Sequence, residues 1–208
     1  SLFTRLILAG NITIPSDITF QLSYNNGVLV NDSGANTIQG PIGMPNGGGN
    51  PSIISSNGFL TLAGDIATVP GNNPRTLTLD GPANGLVSGN VADNGPQASV
   101  TKTGSGTWAL SGNNNTYSGA TTVNGGTLIV SNVAYLNGNG AIAINSGGTL
   151  LLNGTYNGAG TTTVASGGTF GGTGFTYSPT TTWQAGSAGW FTTSASGSTP
   201  AVFSISIR

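Results

Sequence analysis

A six-residue phrase returns three times, with small changes, in the second half of this 208-residue chain: Val123-Asn-Gly-Gly-Thr-Leu, Asn145-Ser-Gly-Gly-Thr-Leu and Ala165-Ser-Gly-Gly-Thr-Phe. The Gly-Gly pairs begin at Gly125, Gly147 and Gly167, so the steps are 147 minus 125, or 22, and 167 minus 147, or 20. Hairpin-built sandwiches place a turn signal roughly every 8–12 residues. A step of about 20 residues instead fits one full coil of a stacked solenoid. The apolar alternations beside the phrase, Thr107-Trp-Ala-Leu and Thr127-Leu-Ile-Val, have the period of two that a strand requires. The fold class expected is all-β, a parallel β-helix or β-solenoid with atypical first and last coils.

Strand residues two apart share a face. The Leu-x-Leu pairs therefore assign Leu60, Leu62, Leu77, Leu79, Trp108, Leu110, Leu128, Val130, Leu150 and Leu152 to an interior column. The corners between strands need a sharp bend, which Gly makes at positive φ without a Cβ clash. Asn and Thr beside those corners are expected to hydrogen-bond to like residues in the neighbouring coil, forming ladders that satisfy polar groups.

The chain reads as one domain spanning residues 1–208, in three parts. Residues 1–56 are expected to be N-terminal capping coils, with strands over 2–8, 11–14, 18–24 and 27–30 and a tight turn at Asn25-Asn-Gly. Within them, residues 36–51 carry Pro41, Pro45, Pro51 and Gly47-Gly-Gly, which bar a helix interior or a central strand. They read as a surface loop, and Asn36, Asn46 and Asn50 are its candidate ligand contacts. Residues 57–174 are the repeat coils, and residues 175–208 form an aromatic last coil ending in a strand. In that strand Phe203, Ile205 and Ile207 alternate with Ser204, Ser206 and Arg208. An unblocked strand edge templates pairing with another chain. The expectation is that this edge meets Leu2, Phe3, Leu6 and Leu8 at the start of a second copy, giving a head-to-tail homopolymer. The alternative is that both strands finish the core of their own subunit.

Only 4% of residues are charged and the formal net charge is −1, with an isoelectric point near 4.7. So little repulsion between copies favours self-association. The four cations, Arg5, Arg75, Lys102 and Arg208, form no basic stripe, which argues against nucleic acid as a partner. No apolar run is long enough for a transmembrane helix. The start, Ser1-Leu-Phe-Thr-Arg-Leu-Ile-Leu, reads as an already processed terminus rather than a signal peptide.

Residues 101–112, Thr-Lys-Thr-Gly-Ser-Gly-Thr-Trp-Ala-Leu-Ser-Gly, are followed by Asn115-Thr-Tyr-Ser-Gly and Thr122-Val-Asn-Gly-Gly-Thr-Leu. In that order they resemble the autotransporter-associated β-strand repeat, also called the passenger-associated transport repeat, of secreted bacterial surface proteins. Trp108 stands where that pattern usually has Leu. The resemblance implies a right-handed parallel β-helix, export, and a cell-surface or extracellular location. It implies no catalytic residues and no cofactor. The outer-membrane barrel that such passengers use is not found within these 208 residues.

General acid–base chemistry needs placed carboxylates or imidazoles. The chain has no His, and its acids are Asp17, Asp32, Asp65, Asp80 and Asp93. Asp65, Asp80 and Asp93, with Arg75, are the group to weigh for Ca²⁺ binding or sugar proton abstraction, against the role of Asp as a turn residue. Thr-x-Thr pairs at 76/78, 101/103, 161/163 and 180/182 raise ice binding, which needs one pair per coil in register; their uneven steps argue against it. Tyr117, Tyr135, Tyr156, Tyr177 and Trp190 are candidate exposed platforms for sugars, against the reading that most of them simply pack, as Tyr commonly does at a β surface. The function expected is a non-enzymatic structural protein whose copies stack into an extracellular fibre. The alternatives are a passenger acting as adhesin or stalk that binds glycan or a host surface, and a polysaccharide-active enzyme.

Overall fold

The computed structural model describes residues 5–22, 27–45, 49–71, 73–138, 140–176, 181–193 and 201–206. Every element in them is a strand. The N-terminal coils run β1 (Arg5–Ala9), β2 (Thr13–Ile14), β3 (Phe20–Gln21), then β4 (Val28–Ser33), β5 (Ala35–Ile38), β6 (Ile42–Met44). The next are β7 (Ser52–Ser55), β8 (Phe59–Leu62), β9 (Ile66–Thr68), then β10 (Arg75–Asp80), β11 (Asn84–Val87), β12 (Val91–Ala92). A coil with two strands, β13 (Ala98–Lys102) and β14 (Thr107–Leu110), marks the middle. After it come β15 (Thr121–Val123), β16 (Gly126–Val130), β17 (Tyr135–Leu136), then β18 (Ile142–Ile144), β19 (Gly148–Leu152), β20 (Thr155–Tyr156). The chain closes with β21 (Thr162–Val164), β22 (Thr169–Gly172), β23 (Phe175–Thr176), β24 (Thr181–Trp183), β25 (Ala188–Thr193) and β26 (Ala201–Ser206).

The coils stack their strands into three faces, most contributing one strand to each. The first face is a nine-stranded sheet, β1-β4-β7-β10-β13-β15-β18-β21-β24. The second is ten-stranded, β2-β5-β8-β11-β14-β16-β19-β22-β25-β26. The third is split into β12-β9-β6-β3 and β17-β20-β23, with a single parallel bridge from Asn115 to Leu136 near the break. All pairings among the described residues are parallel except β25 with β26. This is an all-β parallel solenoid, as the repeat spacing predicts. The expected surface loop over 36–51 is corrected in its first part: residues 36–38 belong to β5 and 42–44 to β6, and both strands lie in the same sheets as the later coils. Pro41 and Pro45 flank β6 rather than interrupt it, so neither removes a ladder bond from inside the strand.

A column of positive-φ glycines marks the corner between the first and second faces: Gly10, Gly34, Gly58, Gly81, Gly104, Gly126, Gly147, Gly167 and Gly186. A side chain at this point would be strained whatever the space, which is why one Gly stands in every coil. The column also measures the coil. Gly34 minus Gly10 is 24, Gly126 minus Gly104 is 22, and Gly186 minus Gly167 is 19, with each intervening step equal to or shorter than the last. The solenoid therefore tapers.

The interior is built from facing columns. Leu60, Gly85, Trp108, Leu128, Leu150 and Phe170 are in register on the second face, beside Leu62, Val87, Leu110, Val130 and Leu152. All ten interior positions expected from the Leu-x-Leu pattern have no exposed surface. Trp108 fits among leucines because Gly85 lies beside it in the preceding coil. A Cβ at Gly85 would come within 2.5 Å of the indole ring. The indole nitrogen donates to the Asp80 carbonyl at 3.1 Å, so its one polar atom is satisfied in the core.

Candidate functional site

The segment from Val100 to Val130 holds three buried polar side chains, Lys102, Asn115 and Thr121. Lys102 alternates inward on the first face, in a column that otherwise reads Leu29, Ile53, Leu79, Val123, Ile144 and Val164. Its stem packs as an apolar residue and its ammonium turns to the glycine corner. There Nζ donates to the carbonyls of Thr103, Gly104 (2.9 Å) and, in the next coil, Gly125 (3.2 Å). Burial lowers its pKa from 10.5 to about 8, and the nearby Asp80 charge partly offsets that. The cation thus fills a cage of carbonyl oxygens and ties two coils together.

Asn115 is the equivalent device at the third face. Its carboxamide is fully buried, accepts from the Val91 amide at 2.9 Å, and donates to the Gly112 and Tyr135 carbonyls at 2.8 and 3.1 Å. One side chain therefore bonds three coils. Two residues on, the Tyr117 hydroxyl shares a 2.7 Å hydrogen bond with Thr121 Oγ1, and burial pushes its pKa up to about 12. Tyr156, two coils later, donates to the carbonyls of Gly140 and Gly160, and burial raises its pKa as well. Both tyrosines are buried, so for these two the packing reading holds and the exposed platform does not: their rings fill the tapering third face. Of the other aromatics expected at the surface, Tyr135 and Trp190 are exposed and Tyr177 lies outside the described residues.

Outside the core, Asp and Asn side chains form rungs between coils. Asp65 Oδ1 accepts from the amide of Asn90, Asn90 Oδ1 from the amide of Asn114, Asn114 Oδ1 from the side chain of Asn137, and Asn137 Oδ1 from that of Asn157. The expected ladders are present, running as one exposed chain of rungs. Asp93 plays a similar part, accepting from the Ala98 amide and from both the amide and hydroxyl of Ser118. Asp65 and Asp93 thus serve turns and rungs, and no cluster of three or more Asp, Glu, His or Cys suited to a metal occurs among the described residues.

The residues expected to contact ligand separate. Asn36 is corrected: it sits buried in β5, accepting from the Ile12 amide and donating to Asn31 and to the Ser33 carbonyl. Asn50 is exposed but its Oδ1 caps the Thr76 amide, and Asn46 lies outside the described residues. Of the residues expected to join copies, Leu8 is buried and Leu6 half-buried in β1. Phe203 and Ile205 fall in β26, whose backbone runs antiparallel to β25, Phe203 opposite Phe191 and Ile205 opposite Gly189. Leu2, Phe3 and Ile207 lie outside the described residues. Arg5, Leu6, Phe20, Gln21, Leu22, Gly27 and Val28 line a concavity of about 280 Å³ at the first coil.

Sequence reasoning missed Lys102 and Asn115 as interior ties. The signal for Lys102 was present, since its parity matches the inward residues of the first face, but a charged side chain reads as outward by default.

Residues 100–130 match the sequence model of the passenger-associated-transport-repeat, so the family pattern covers the coil that holds Lys102, Trp108, Asn115 and Tyr117. That repeat is associated with autotransporter passengers, which implies a surface or secreted protein, and proteins that carry it are typically non-catalytic. No curated protein and no solved structure matches the chain significantly.

Proposed function

We propose that this chain is a non-catalytic passenger-type rod of an exported bacterial surface protein, a rigid stalk that presents its outer faces to the surroundings. One observation carries the reading: the matched repeat devotes its distinctive residues to holding coils together. Lys102 fills a carbonyl corner, Trp108 the core, Asn115 a three-coil junction and Tyr117 the third face. A repeat devoted to cohesion supports a spacer, and the outer faces are left for recognition of glycan or host surface. Protease shaving of intact producing cells tests this. Release of the chain from the surface is expected, and retention inside cells that stay intact would count decisively against it.

A second reading, end-to-end stacking into a fibre, is favoured by the sheet ends. Among the described residues β1 pairs only with β4, and β24 only with β21, so the described first face presents strand edges at both ends. Such edges template further pairing. In this reading Leu6, Leu8, Phe203 and Ile205, with Leu2, Phe3 and Ile207, belong to the joint. Negative-stain microscopy at high concentration should then show filaments that disappear on deletion of residues 201–208; single short rods at every concentration would discard the reading.

A further inference from the structure

The outer surface of the first face is a two-column lattice of small side chains. In register along the solenoid stand Thr78, Thr101, Thr122, Ala143, Thr163 and Thr182. Two residues earlier in each strand, the neighbouring column reads Thr76, Ser99, Ala120, Ala141 and Thr161. The sequence steps between these positions are uneven because the coil shortens. The pairing absorbs that unevenness in the corners, so the pairs 76/78 and 161/163 fall in the same two columns, while the pair 101/103 is displaced by two residues and Ser99 and Thr101 take its place.

From β10 to β24 every named residue of the two columns is Thr, Ser or Ala, so this stretch has nearly uniform height and holds no charge, large apolar group or ring. In the coils before it the first column runs on through Ser52 and Val28 to Arg5, so the lattice is confined to the later coils. All these side chains are half-buried or exposed. The spacing is set by the sheet: about 4.8 Å along the axis and roughly 6.6 Å across two residues of one strand. Both repeats lie close to those of the oxygen lattice on the prism face of hexagonal ice. Thr suits such a lattice because its hydroxyl donates and accepts, while its methyl orders the water between rows.

We propose that this Thr/Ser/Ala face binds ice. A neutral, flat lattice complements a neutral, flat crystal. A polyanion would find no counter-charge on it, and a sugar ring would find no aromatic to stack on; the second face, with Ile129, Leu151 and Trp190 pointing outward, differs on both height and apolarity. The inference does not rest on the passenger reading, since adsorption to ice is measured on purified protein whatever its location.

The experiment compares the unmodified chain with Thr101→Lys/Thr122→Lys on this face and Thr149→Lys on the second face, each checked for β-sheet circular dichroism. Slow freezing should incorporate the unmodified chain and Thr149→Lys into the ice fraction and suppress ice recrystallisation. The double variant should lose roughly ten-fold or more of that capture, because two ammonium groups must be desolvated against the crystal. Should the double variant lose its sheet signal, Thr122→Tyr, which breaks the flatness without adding charge, takes its place with the same expectation. Exclusion of the unmodified chain from ice overturns the proposal, as does equal capture of the chain and its first-face variant. Binding to crystalline cellulose or chitin that the first-face variant loses, without any effect on ice, also overturns it and assigns the face to polysaccharide.

Discussion

Lys102 is a cation that the fold places among the apolar columns of the first face, and its behaviour with pH follows from that place. In the unfolded chain its pKa returns to 10.5, whereas in the fold it is about 8. Between those values the unfolded state binds more protons, so stability rises with pH across that window and is independent of this group below it. Tyr117 acts in the opposite sense: the fold raises its pKa from 10.0 to about 12, the folded state keeps the proton longer, and stability falls as pH climbs through that range. Thermal melting should therefore improve from pH 8 to a maximum near pH 10 and then decline. Lys102→Met should melt lower throughout, having left three carbonyls without their donor, and should lose the rise between pH 8 and 10. A second residue-scale prediction concerns Trp108 and Gly85, which share one volume. Trp108→Leu should cost about 2–4 kcal/mol by opening a cavity, and Gly85→Ala about 1–3 kcal/mol by overpacking against the indole. Combined, they should cost clearly less than the sum, since Ala fills part of the space that the smaller Leu vacates; additivity in denaturant unfolding would refute the shared volume.

At the scale of the element, the strands are short and the corners hold them in register. Two carboxamides in neighbouring coils make the contrast. Asn115 is buried with three partners, so Asn115→Ala strands the Val91 amide and the Gly112 carbonyl and leaves the Tyr135 carbonyl only its backbone donor, and should cost on the order of 2–4 kcal/mol or prevent folding. Asn137, on the exposed ladder, bonds only other carboxamides and the water around them, and Asn137→Ala should stay within about 1 kcal/mol. Comparable losses in the two melting curves would show that exposed rungs carry as much as buried ones. The corners also explain which part of the pattern could be read in the sequence. Where two glycines and Thr meet, at Gly125, Gly147 and Gly167, the phrase announces itself. At Gly34 and Gly58 a single Gly does the same conformational task among dissimilar neighbours, and the coil is 24 residues long rather than 20. A period that drifts with so small a signature leaves the N-terminal coils looking irregular, and hides the strand character of residues 35–44.

For the molecule as a whole, a parallel solenoid has contacts only between neighbouring coils, so stability is close to a sum of coil and interface terms. Hydrogen exchange should find the slowest amides in β10 to β19, flanked on both sides by packed coils. The fastest should lie in β1 to β3, where β1 pairs on one side only and Ile7, Ile12 and Ile18 remain exposed. Uniform protection along the axis would contradict that picture. The sequence by itself determined the solenoid class, the identity of the ten interior residues and the family of the central coil, because alternation, glycine corners and an ordered motif are local properties that survive in one dimension. Only the tertiary structure decided that Lys102, Asn36, Asn115, Tyr117 and Tyr156 face inward, and that the threonines of the first face stand in register. Those outcomes depend on which residues of different coils lie beside each other, and a coil that loses a residue at a time moves that pairing without leaving a fixed interval in the sequence to reveal it.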